Sequence, residues 1–199
     1  MGNIGDWIIL NMLFVITSLP VITVGMSATA MYRIALRRIR GENQYVAREY
    51  FQVLYEEWKK STGLWIFFLT TGGLLLFDVL YGENLWKALN IGVGCLVVLW
   101  CFAVIYAFPL QARFENNIRN TLINALVLAF RNLPATLVMV LLNSIPAFCI
   151  ASGPYVTLVA VSIYCIFGFS LTAAVNSLFL NRIFRKFMER MERVNGTEE

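Results

Sequence analysis

The chain has 199 residues, of which 59% are hydrophobic and only 14% charged, and its mean hydropathy is +0.68. Soluble domains of this length are nearer half apolar and a quarter charged, so these values exclude an ordinary soluble domain. The apolar residues form long runs with almost no charge, which is typical of membrane-spanning helices. We therefore predict an all-α fold, a polytopic helical membrane bundle that forms one domain over residues 1–199.

Five apolar segments are each close to or above the ~20 residues that a helix needs to cross a bilayer. They cover residues 7–31, 63–81, 88–108, 133–151 and 155–180. Except for Lys87, all Lys and Arg residues lie between the first and second segments, between the third and fourth, or in the tail 181–199. This bias follows the positive-inside rule. It predicts a multi-pass protein with a cytoplasmic C-terminus, embedded in the lipid bilayer, and it disfavours nucleic acid as a partner.

The first segment contains a helix break in the stretch TSLPVITVG, residues 17–25, formed by Ser18, Pro20, Thr23 and Gly25. Pro20 removes one backbone hydrogen bond, and its ring crowds the preceding turn. Two geometries follow from this break. Either one kinked helix crosses the membrane and places the N-terminus outside, or the segment enters and turns back. We prefer the kinked span.

The cytoplasmic stretch 44–60 is predicted to be an amphipathic helix, because its apolar positions recur at helical spacing. Its candidate interface residues are Tyr50, Phe51, Leu54, Tyr55 and Trp58. Aromatic and Lys side chains suit the membrane interface, and we favour that location over a groove on a partner protein. A second stretch, INALVLAFRNLPATL, aligns with FQVLYEEWKKSTGLW. The alignment leaves two explanations open, an internal duplication or two similar helices that enter the bilayer.

Polar side chains within the apolar segments are the candidate functional groups, because an unpartnered polar group is costly in hydrocarbon. These residues are Asn11, Asp78, Asn90, Asn143 and Asn176. We expect the asparagines to act as hydrogen-bonded links between helices rather than to line a polar path, and Asp78 to reach the headgroups. The chain has no histidine, no P-loop and no HExxH or GxSxG motif. We therefore predict no enzymatic activity and no catalytic, cofactor-binding or metal site.

The stretch 10–65 resembles the YesL family of bacterial integral membrane proteins, which implies a location in the bacterial inner membrane. The shared pattern N-x-L-x(4)-S-L-P-x-x-T-x-G begins at Asn11 and ends at Gly25, and Ala30 and Tyr32 continue it. NALVLAFRNLPATLVMVLLNSIPAF is similar to the second half of that family. Genes of this family commonly lie beside carbohydrate-utilisation genes and ABC-type sugar importers. The resemblance therefore implies an accessory or permease-like component of carbohydrate uptake that works with such an importer. The alternatives are a self-sufficient oligomeric transporter or channel, and a membrane assembly or structural factor.

Overall fold

The structure, a computed structural model, describes residues 4–42, 45–81, 87–114 and 117–195, with the backbone alone for 87–90 and 190–195. All regular elements in these ranges are helical, which confirms the all-α prediction. The α-helices are α1 Ile4–Thr17, α2 Val24–Ile39, α3 Val46–Glu56, α4 Trp58–Tyr81, α5 Lys87–Arg113, α6 Ile118–Arg131, α7 Leu133–Ala151, α8 Pro154–Ile163 and α9 Phe169–Asn195. A 3₁₀ turn at Val21–Thr23 precedes α2, and a π-helical turn at Tyr164–Gly168 joins α8 to α9.

Within the part of the chain that the structure describes, four apolar helical stretches are long enough to cross a membrane, namely Trp58–Tyr81, Ile91–Arg113, Leu133–Ala151 and Pro154–Glu189. These correspond to the second to fifth predicted segments. Their outer surfaces are apolar and exposed, as Leu74, Leu141 and Leu158 illustrate with exposed fractions of 68%, 69% and 68%. Side chains of this kind face lipid in a membrane bundle, so the exposure pattern agrees with a membrane protein.

The first predicted segment does not form a kinked span, and this prediction is wrong. Helices α1 and α2 form a hairpin, because the carboxylate of Asp6 in the first turn of α1 lies 2.6 Å from the guanidinium of Arg38 near the end of α2. The same guanidinium lies over the ring of Trp7, 5.9 Å from its centroid. The start of α1 and the end of α2 therefore lie at one end of the bundle, and residues 7–31 are re-entrant.

A contact with α4 shows how far the hairpin reaches into the bundle. The indole of Trp65 donates a hydrogen bond of 2.6 Å to the carbonyl of Val21 at the hairpin tip. From Trp65, α4 continues for sixteen residues to Tyr81, which is ~24 Å at ~1.5 Å per residue. The tip therefore ends well inside the bundle. Leu19 and Ile22 beside it are exposed apolar residues, as expected where a turn faces hydrocarbon.

Helix α2 is central to the packing, with α3, α4, α5 and α9 around it. One apolar core joins α4, α5, α6 and α9 through large buried side chains such as Phe68, Tyr106 and Phe184. A second core joins the hairpin to α3 and α9 and includes Leu10 and Ile34. The hairpin is therefore an integral part of the bundle and not a peripheral loop.

Two successive units of the chain have the same element order. Helices α2, α3 and α4 form a core helix, a short amphipathic helix and a span, and α5, α6 and α7 follow the same order. Helix α3 begins at Val46 and α6 at Ile118, which matches the sequence offset of the two aligned stretches. The structure therefore places these stretches in equivalent elements.

Candidate functional site

The helix break at the hairpin tip is held by hydroxyl groups. Thr23 Oγ1 donates to the carbonyls of Thr17 and Pro20, and Ser27 Oγ donates to Thr17 Oγ1 at 2.9 Å. Tyr50 of α3 brings its hydroxyl within 2.6 Å of Thr17 Oγ1. Burial raises the pKa of the Tyr50 phenol above its ordinary value, so the group stays protonated at neutral pH. The break predicted from the sequence is thus a hydrogen-bonded turn.

Gly25 allows α2 and α4 to approach each other closely. A Cβ atom at this position would lie 2.4 Å from Trp65 Cβ and 2.7 Å from the carbonyl oxygen of Ser61. Neither atom belongs to the flexible end of a side chain, so any larger residue would push the helices apart. Ser18 lies in the turn itself, and its buried hydroxyl has no hydrogen-bond partner within the described residues.

Asn11 connects the hairpin to the π-helical turn in the last span. Its amide nitrogen donates to the carbonyls of Tyr164 at 3.0 Å and Cys165 at 2.7 Å. Its amide oxygen accepts a hydrogen bond of 2.9 Å from the backbone N–H of Ser170. A π-helical turn disturbs the regular hydrogen bonding of a helix, and unsatisfied backbone groups are costly in a membrane. The Asn11 side chain satisfies three such groups at once.

The remaining predicted polar residues do not form a single site with Asn11. Asn176 is fully buried and donates a hydrogen bond of 3.1 Å to the Tyr32 hydroxyl, which links α9 to α2. Asn143 is exposed and donates to the carbonyl of Met139 in its own helix. Asp78 is exposed near the end of α4, and the side chain of Asn90 lies outside the described part of the structure.

A cavity of about 280 Å³ lies between the hairpin, α5, α7 and the π-helical turn. Its lining is mainly apolar and aromatic, with Phe14 from the hairpin, Phe108 from α5 and Phe169 from α9. Tyr32 and Asn143 supply polar atoms to the same wall. An apolar cavity with a few polar groups is the usual form of a small-molecule site. The abundance of apolar groups does not suit a sugar, which carries many hydroxyl groups.

A buried polar network ties the two repeated units together at the end of the bundle that contains Arg33, which we call the basic end. Arg33 donates to the carboxylate of Glu57 at 3.1 Å and to the carbonyl of Ala112 at 3.0 Å. Gln111 donates to the other oxygen of Glu57 at 3.0 Å and accepts a hydrogen bond from Thr121. The network therefore runs from α2 through the α3–α4 junction to α5 and α6.

Sequence reasoning missed this network. The available signal was the acidic pair of Glu56 and Glu57 in an otherwise basic segment. Both carboxylates pair with Arg33, and Arg37 pairs in the same way with Glu49 on α3. Part of the positive charge predicted to face the cytoplasm is thus neutralised inside the fold.

Helix α3 buries only part of the apolar stripe predicted for it. Tyr50 is buried and Leu54 half-buried against the hairpin, whereas Phe51, Tyr55 and Trp58 have exposed fractions of 52%, 81% and 49%. The predicted helix 44–60 also does not continue to its end, because Trp58 already begins α4. We call Phe51, Tyr55 and Trp58 the α3 stripe.

Helix α6 carries an equivalent exposed surface. Ile123, Val127 and Phe130 are 50%, 41% and 52% exposed, and we call them the α6 stripe. Their spacing of i, i+4 and i+7 places them on one face of α6. The α3 stripe has the same sequence spacing, although Trp58 belongs to the start of α4 and only Phe51 and Tyr55 share a face of α3. The two repeated units therefore present matching apolar stripes.

Comparison with known proteins agrees with the motif found in the sequence. A profile of the family described as "Protein of unknown function, DUF624" matches residues 7–79, which include the hairpin, α3 and most of α4. The protein YesL of Bacillus subtilis (strain 168), described as uncharacterized, is 24% identical over 189 residues, covering 92% of this chain and 87% of its own length. No solved structure matches the chain.

Proposed function

We propose that the chain, which is similar to YesL over most of its length, is an accessory or permease-like subunit that works with an ABC-type carbohydrate importer. The observation that carries this proposal is the pair of exposed stripes on α3 and α6. Short amphipathic helices that present an apolar face are suited to dock into a groove of a partner protein. The carbohydrate part of the proposal rests on the resemblance to the family.

The charges around the stripes support a protein partner. Lys59 follows the α3 stripe with its ammonium over the Trp58 ring. Arg48 and Lys60 are also exposed. An apolar stripe with a cationic rim fits a partner groove that is apolar inside and acidic at its edge, because complementary charge gives such an interface its specificity.

The proposal is tested by copurification from native membranes after mild crosslinking. The double variant Phe51→Ser/Tyr55→Ser removes the aromatic part of the α3 stripe, and both side chains are exposed, so the fold is expected to tolerate it. Tyr45→Ser is the matched control, since Tyr45 is 86% exposed and lies just before α3. We expect importer subunits to copurify with the wild type and the control and to be lost from the double variant.

The result that contradicts the proposal is a wild-type preparation that contains no importer subunit. Equal loss in Tyr45→Ser would also contradict it, because the effect would then not depend on the stripe. Carbohydrate uptake by cells that carry the double variant gives a second readout. It should fall only if docking is needed for transport.

A second candidate function is transport by this chain alone, and the broken helices around the central cavity favour it. Discontinuous helices near the middle of a membrane often line transport sites, and here the hairpin tip and the π-helical turn are both discontinuities. Uptake of a small, weakly polar solute into proteoliposomes that contain this chain alone would support this function over the first, since the mainly apolar lining of the cavity does not suit a sugar. The third hypothesis is a role as a membrane assembly factor. It would be favoured if deletion of this protein left the importer subunits in the membrane but prevented their assembly with one another.

A further inference from the structure

A small notch lies at the basic end, between the end of α6 and the side of α9. Its volume is about 70 Å³. Its lining residues are Leu128, Arg131, Asn132, Ile183, Lys186 and Phe187. Leu128 and Ile183 are buried members of the main apolar core, so the notch has an apolar floor with two cationic side chains above it.

The two cations of the notch have no acidic partner within the described residues. Arg131 and Lys186 are exposed and take part in no described ion pair. The arginines of α2 and its C-terminal end behave differently, since Arg33, Arg38 and Arg40 each pair with a carboxylate. Glu189, one turn beyond Lys186, pairs with Arg185. The notch therefore keeps its positive charge available for a ligand.

The position of the notch relative to the membrane restricts the ligand. Helix α7 begins at Leu133, directly after Asn132, and the fifth predicted segment ends at residue 180, six residues or ~9 Å before Lys186. Because one notch contains both Arg131 and Lys186, the two cations lie together just beyond the ends of two apolar segments, where lipid headgroups are expected. Basic pockets between transmembrane helices at this level are suited to anionic headgroups.

We propose that this notch binds an anionic phospholipid, with the headgroup phosphate between Arg131 and Lys186. The glycerol and the first part of an acyl chain would lie against Phe187 and the apolar floor. A soluble anion would use only the cations, whereas a phospholipid uses both the charge and the apolar surface. This combination is why we assign a lipid and not a free phosphate.

The experiment uses the full chain purified in neutral detergent and measures binding of phosphatidylglycerol, cardiolipin and phosphatidylcholine by native mass spectrometry. We expect the anionic lipids to bind and phosphatidylcholine to bind much more weakly. The double variant Arg131→Gln/Lys186→Gln should lower the affinity for the anionic lipids by about fivefold for each cation removed. The matched control is Arg119→Gln/Arg182→Gln, which removes one exposed cation from each of the same two helices, α6 and α9.

Several outcomes would overturn the proposal. Equal loss in the control pair would show that general surface charge attracts the lipid. Unchanged binding in Arg131→Gln/Lys186→Gln would show that the notch is not used. Competition by inorganic phosphate at the same concentration as the lipid would identify a soluble anion site. The charge-conserving variant Arg131→Lys/Lys186→Arg must retain binding, and its loss of binding while folded would also contradict the assignment.

Discussion

The substitution Asn11→Leu tests the link between the re-entrant hairpin and the last span. Leucine has the same branched arrangement of four side-chain heavy atoms but can neither donate nor accept hydrogen bonds. The change removes the bonds to the carbonyls of Tyr164 and Cys165 and to the N–H of Ser170. All three lost partners are backbone groups at or next to the π-helical turn, so the turn itself loses its support.

The expected cost follows from these three bonds. Side-chain hydrogen bonds between membrane helices contribute ~0.6 kcal/mol on average and up to ~1.7 kcal/mol. Three bonds therefore give about 2 to 5 kcal/mol for Asn11→Leu. Asn143→Leu is the matched control, because Asn143 is exposed and bonds only within its own helix. We expect its effect to remain below about 0.5 kcal/mol.

The measurement is reversible unfolding of the purified protein in mixed micelles of a mild detergent and a denaturing one. Asn11→Leu should lower the free energy of unfolding by the amount given above, and Asn143→Leu should leave it near that of the wild type. Equal stability of the two variants would refute the reasoning, because Asn11 would then not support the π-helical turn.

Three further predictions concern the hairpin and the basic end. Gly25→Ala should lower the free energy of unfolding by ~1–3 kcal/mol, as overpacking does, because the added Cβ would collide with Trp65. Gly73→Ala in α4 is the control and should be neutral or stabilising in the same unfolding assay, because its Cβ would meet no described atom within 4 Å. Glu57→Gln should lower the free energy of unfolding more than Glu42→Gln, because the carboxylate of Glu57 is buried in its network whereas the Glu42 side chain is 43% exposed. Equal losses of stability would contradict this prediction. In a cysteine-free background, cysteines introduced early in α1 and late in α9 should react with an impermeant thiol reagent from the same side of the membrane.

Hydrophobicity was sufficient to predict the helical class and the long spans. The runs that contain Leu74, Leu141 and Leu158 are nearly free of charge, and they form helices that are long and apolar enough to cross a membrane. Local composition decides this outcome, because a backbone in lipid must satisfy its hydrogen bonds within the segment.

The path of the first segment could not be predicted in the same way. A kink and a reversal at Pro20 both break the helix at the same residues, so the local sequence fits both. The choice depends on distant contacts, namely the pairing of Asp6 with Arg38 and the hydrogen bond from Trp65 to Val21. Similarly, the partners of Asn11 lie more than 150 residues away along the chain, and no local sequence pattern predicts them.

The apolar stripe of α3 shows a third limit of the sequence. Periodicity identifies an apolar face but does not divide it between the core and an external surface. Here Tyr50 is buried against the hairpin, while Phe51 and Tyr55 are exposed. The packing of α1 and α2 against α3 determines which side chains of its apolar face are buried and which remain exposed.

The two sides of α3 connect the proposed docking surface to the hairpin. On its buried side, Tyr50 holds the helix break through Thr17. The opposite side carries Phe51 and Tyr55. At the basic end, Glu57 joins the end of α3 to α5 and α6 through Gln111. A partner bound to the α3 stripe would therefore act on a helix that contacts both the hairpin tip and the second repeated unit. Through these two contacts, a change in the membrane bundle would reach the proposed docking surface.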